Sequence, residues 1–166
     1  MTEAQSVPAA SPATAAAVEE TAFSVFEGLA LAGVTDRMIA RFCGVDRAGV
    51  ADWRKGREAV PKGRVVFLTL LLSHMVDELV RTYDEWGPAP KAWHLHMQAC
   101  LENAQAMLGR QQDRNKDAPE GAFRQGMRLF EQWLELDAAH GWAREAAKRV
   151  ALGTDTTGLV LDRDGS

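Results

Sequence analysis

Long apolar runs are missing from this sequence: the longest, Val65 to Leu72, is eight residues and is interrupted by Thr69. A transmembrane helix needs about 20 such residues, so none can be built here. The two cysteines, Cys43 and Cys100, lie 57 positions apart and do not make a disulfide framework. The first residues lack the positive charge and apolar core of a signal peptide. A reduced, cytoplasmic setting is the expectation.

The signatures of chemistry are also missing. There is no HExxH or CxxC, no glycine-rich phosphate loop, no GxSxG, and no recognisable Ser/His/Asp set. His96 and Cys100 form an i, i+4 pair near His94, with His140 further on, but zinc needs three or four ligands at recognisable spacing. Asp162-Arg163-Asp164-Gly165 starts like a calcium loop and ends before the remaining ligands. Glu102, Glu131 and Glu135 lie on solvated helix faces. The sequence therefore predicts no enzyme, no metal and no cofactor.

What is present is a folded chain. With 166 residues, 46% hydrophobic and 25% charged, it has apolar surface enough to offset chain entropy in one ordinary domain or a small domain with an appendage. The net charge of −4 is unevenly spread. Residues 1–35 hold four carboxylates and no Lys or Arg. Residues 36–64 hold eight Lys/Arg against four acids, and the remainder is acidic again. A basic segment of about 30 residues inside an acidic protein is a possible phosphate footprint; as a charge run alone, it equally describes a solvated face.

Residues 1–17, rich in Ala, Ser, Thr and Pro, predict a disordered arm, and residues 153–166 a flexible tail. Between them every periodic stretch is helical, so the predicted class is all-α. A first helix carries Phe23, Val25, Phe26 and Leu29 and ends at Gly33. Thr35 caps a second through Phe42 or Cys43, closed by Gly44, and Asp46 caps a third to about Lys55, stopped by Gly56. Pro61 opens a fourth that extends to Trp86. Gly87-Pro88-Ala89-Pro90 then divides a unit over 18–86 from one over 91–152. In the second unit, helical periodicity runs from Trp93 to Leu108, lapses over the polar Gly109–Pro119, and resumes over Phe123–Leu136 and Gly141–Leu152.

One stretch is specific. Ala40 is small where two short helices would cross, and Gly44 can take the positive φ of a sharp turn. Val45 plugs the angle between the helices, and Val50 and Trp53 face the core from the next helix, which Gly56 stops. This pattern resembles the helix-turn-helix of the lambda-repressor/Cro (Xre) family, over residues 20–86 and most closely over 35–56. The resemblance implies a lambda-repressor-like N-terminal bundle and a bacterial-type, nucleoid-associated transcriptional regulator that binds double-stranded DNA. In this family the second helix of the motif lies in the major groove. By position that puts Arg47, Ala48, Gly49 and Asp52 at base edges, with Arg47 suited to guanine, Asp52 to cytosine and Ala48 to a thymine methyl. Arg37, Arg41, Arg54, Lys55 and Arg57 are the implied phosphate contacts.

Two positions depart from the family. Asp36 stands where a glutamine often approaches the phosphate backbone, and Gly49 costs about 1 kcal/mol of helix propensity relative to Ala. They favour a rival reading, in which the helix-turn-helix is a protein-interaction scaffold that docks on transcription machinery or another regulator without binding DNA. Beyond the break, Phe123–Leu136 with Phe130 and Trp133 on one stripe, together with Trp142, is the expected contact surface for a homodimer or a second regulatory protein. On that division, residues 1–87 alone would stay folded and monomeric.

Overall fold

The structure, a computed structural model, describes residues 25–85 and 91–152, with the side chains of 91–95 left aside. The expected arm, the break at 87–90 and the tail lie outside the described residues. Every regular element among those described is helical. In chain order these are α1 (25–31), α2 (Asp36–Cys43), α3 (Arg47–Arg54), α4 (Lys62–Glu85) and α5 (Lys91–Arg114). A 3-10 turn (Asn115–Asp117), α6 (Glu120–His140) and α7 (Trp142–Leu152) complete the chain. Among the described residues no helix is long and apolar enough to cross a membrane.

The local reasons are those that the sequence displays. Thr35 Oγ1 accepts from the Met38 amide at 3.2 Å to start α2. Gly44, at φ 72°, ends it in the left-handed region that other residues enter only under strain. Asp46 Oδ1 then accepts from the Gly49 amide at 2.7 Å and starts α3 after a three-residue turn. Val50 and Trp53 point inward and are buried.

α4 is the axis of the fold. At 24 residues it is about 36 Å long, and α5, α6 and α7 all pack on it. α5 returns along α4, and α6 runs parallel to it: Gln125 lies at Gly63, Gly126 at Val66, and Asp137 at His74. α7 presents Ala143, Ala146, Ala147, Val150 and Ala151, small enough for close packing.

Two expectations are corrected by this packing. The helices before and after the break share one hydrophobic core, reaching from Phe26 and Ile39 through Leu68 and Leu72 to Trp133 and Ala146. The break separates stretches of chain, not cores. The polar lapse after Leu108 is also mostly helix: Gln111 and Asn115 turn toward α4, while most of its other polar groups stay exposed. Gln111, fully buried, donates to Asn115 Oδ1 at 3.1 Å, and Asn115 donates to Thr69 Oγ1 on α4 at 2.7 Å. Thr69 in turn donates to the Val65 carbonyl at 2.7 Å. A polar pattern on the surface and a hydrogen-bonded polar chain reaching the core look alike in sequence.

Gly126 sits where α6 approaches α4 closely. A Cβ there would sit 2.4 Å from Val66 Cγ1 and 2.9 Å from the Phe67 backbone nitrogen. Val66 is stiff at χ1 and the backbone cannot yield cheaply. Gly126→Ala gains about 1 kcal/mol of helix propensity and loses about 1–3 kcal/mol to overpacking. A lower urea midpoint at unchanged slope is the expected result; a raised midpoint would mean that α4 and α6 are free to separate.

Candidate nucleic-acid interface

α3 packs on α2 and buries only its inner side. Arg47 and Ala48 stand exposed at its first turn, and Gly49 and Asp52 are half-buried behind them. The position of Gly49 has a local reason: a Cβ would come within 3.3 Å of both Asp46 Oδ1 and Val45 Cβ, crowding the cap that starts the helix. The propensity lost at Gly49 is partly the condition for that cap. Arg41 on α2 and Lys55 and Arg57 after α3 are exposed, and Arg37 is half-buried. Lys62, exposed at the start of α4, continues this run of cations and was not singled out by the motif.

One assignment changes. Arg54, expected at a phosphate, is ion-paired through Nη2 with Asp36 Oδ1 and only 26% exposed. Its guanidinium lies 5.1 Å from the centroid of the Phe26 ring. Arg54 therefore clips α3 to α2 and α1, and the carboxylate at Asp36 is its partner and not a misplaced backbone contact. No local spacing discloses this pair, since its members are 18 residues apart. Arg57 keeps a longer, exposed contact with Asp52, 3.7 Å between Nη1 and Oδ1. Such a contact is weak in water and readily exchanged for a phosphate.

Support for the α2–α3 unit comes from the far end of the chain. Phe42, the penultimate residue of α2, meets Trp133 at 6.3 Å edge-on and Trp142 at 5.3 Å. Trp133 is fully buried and also faces His74 at 5.2 Å and Phe130 at 6.4 Å. His74 Nε2 lies 3.5 Å from Asp137 Oδ2, whose other oxygen accepts from the Ala143 amide at 2.8 Å and so holds the start of α7. Both tryptophans thus belong to the interior, which removes them from the contact surface expected at Phe123–Leu136. Phe123, Met127 and Leu136 remain exposed there.

Burial pushes the Cys43 thiol up to about 12, with nearby Arg64 opposing only in part, so it stays protonated at neutral pH. Cys100 Sγ lies 3.7 Å from His96 Nε2, yet among the described residues no three His, Cys, Asp or Glu gather as a ligand set. No family model matches the chain, and no curated protein or solved structure matches it either.

Proposed function

We propose that this chain is a sequence-specific DNA-binding transcriptional regulator of the lambda-repressor-like type. In this reading α3 enters the major groove, and the C-terminal helices serve dimerisation or the recruitment of a partner. The observation that carries it is the outer face of α3. Arg47 and Ala48 are exposed at the helix start, while Arg41 on α2 and Lys55 and Arg57 after the end of α3 are exposed cations of the same segment. A helix start presenting a forked cation and a small apolar group suits base edges, and flanking cations suit phosphates. Arg54, tied to Asp36 and Phe26, fixes the pose of α3 and is excluded from the phosphate set.

Salt and sequence dependence test this reading together. Arg47→Ala is expected to remove about 1–3 kcal/mol of discrimination between specific and scrambled duplexes and to leave the fold intact. Lys55→Ala is expected to weaken binding to both duplexes alike and to lower the salt slope by about one unit. An unchanged specific-to-scrambled ratio in the Arg47 variant excludes it as a base reader. Absence of binding at low salt would transfer the unit to the second reading, a protein-docking scaffold.

A further inference from the structure

α6 carries two apolar stripes, and only one is spent on the core. Gly126 and Trp133 face α4 and are buried. Phe123, Met127, Phe130 and Leu134 follow one another at spacings of four, three and four, which places them along a single seam beside the buried stripe. Phe123 is 44% and Met127 39% exposed, and Phe130 and Leu134 are only partly covered by the core. A shallow depression runs along this side, bounded by Glu120, Arg124, Arg128 and Glu131.

We propose that this seam is the docking surface for a second copy of the chain, with the two α6 helices paired antiparallel about a two-fold axis. The charge order on its open flank selects that occupant. Arg124 and Glu131 lie on the flank away from α4, seven residues apart, and Arg128 between them is turned further from the seam. Antiparallel pairing by a two-fold brings this flank against the same flank of the other copy. In the register that stacks Phe123 on Leu134 of the partner subunit and Met127 on Phe130 of the partner subunit, Arg124 comes beside Glu131 of the partner subunit, twice. Parallel pairing is disfavoured, because it would set this flank against the one already buried on α4 through Gly126 and Trp133. Arg124 now makes only a 3.5 Å contact with Glu120, both of them largely exposed. Exchanging that contact for the new one costs little.

This inference rests on the assembly half of the proposed function and is independent of whether α3 reads DNA. The test is therefore made without DNA, by sedimentation equilibrium of the full chain at several concentrations. The wild type is expected to dimerise. Arg124→Glu, which sets Glu against Glu at both ends, is expected to weaken the dimer at least tenfold, or 1.4 kcal/mol. Combining it with Glu131→Arg restores opposite charges and is expected to recover the dimer. Met127→Glu provides a second disruption on an exposed side chain, with helicity by circular dichroism confirming that each variant folds. A wild type that stays monomeric to roughly 0.1 mM, well above the micromolar range of specific association, overturns the proposal and leaves the seam to a different protein. A dimer indifferent to both Arg124→Glu and Met127→Glu overturns it as well, by placing the interface elsewhere.

Discussion

Trp133→Ala is expected to destabilise the protein by about 3–5 kcal/mol, the range for truncating a buried aromatic. Trp133 is fully enclosed and touches three elements at once: Phe42 of α2, His74 of α4 and Phe130 of its own helix. Rings at these separations and tilts add about 0.5–1.5 kcal/mol per pair beyond their buried area. A domain of this kind has about 5–15 kcal/mol in all, so the variant would lie near the edge of folding. Urea unfolding should show the midpoint falling with little change in slope. Trp133→Phe keeps a ring against Phe42 and should recover more than half of the loss. A drop under about 1 kcal/mol in the Ala variant would mean that α2 does not depend on α6.

That dependence bears on the proposed function. The pose of α3 is set by two fastenings of different kinds. Arg54 joins it to Asp36 and Phe26 at the surface. Phe42 holds α2 against Trp133 and Trp142 in the interior. Packed cores shift between discrete arrangements and do not stretch continuously. A partner or second copy on α6 thus sits against the aromatic rings that hold α2, the helix on which α3 packs.

How much of this was legible in the sequence depends on range. Caps and turns act over three or four residues, and Thr35, Gly44 and Asp46 end or begin helices where their chemistry says they should. Val50 and Trp53 were readable as core because three-residue spacing on a short helix leaves little choice of face. The exposure of Arg47 and Ala48 follows from the same geometry. Longer-range facts were not legible. Charge composition lists Arg54 and Asp36 as members of one basic segment and cannot say that they are paired. Trp133 and Phe130 are three apart and read as one stripe, yet the wheel of α6 carries both a buried and an open side there. Only the approach of Val66 to Gly126 settles which side α4 takes. Gly87, Pro88 and Pro90 mark where a helix must stop, but carry no information on whether the next helix returns to the same core.

Residues 1–87 alone are expected to lose cooperative folding, contrary to what the break at 87–90 suggests. Cutting there removes α5, α6 and α7 and uncovers Phe42, Val66 and His74, whose neighbours Trp133, Trp142 and Gly126 all lie beyond the cut. Full burial of a large apolar side chain is worth about 1.5–3 kcal/mol, so exposing buried Val66 and the half-buried Phe42 removes a large part of the stability of a small domain. Thr69 would also lose the Asn115 amide that donates to it. A thermal melt of the fragment should be broad and non-cooperative, and sedimentation should show heterogeneous association through the bared face of α4. A sharp transition with a single monomeric species would show instead that α1–α4 hold a sufficient core of their own, built on Phe26, Ile39, Val50 and Trp53. The two outcomes also separate two designs for the molecule. If the fragment folds, the DNA-reading and assembly parts are beads on one chain. If it does not, α6 is structural support for α3 as well as the proposed dimer seam, and the spacing between the two α3 helices of a dimer is set rigidly through α4.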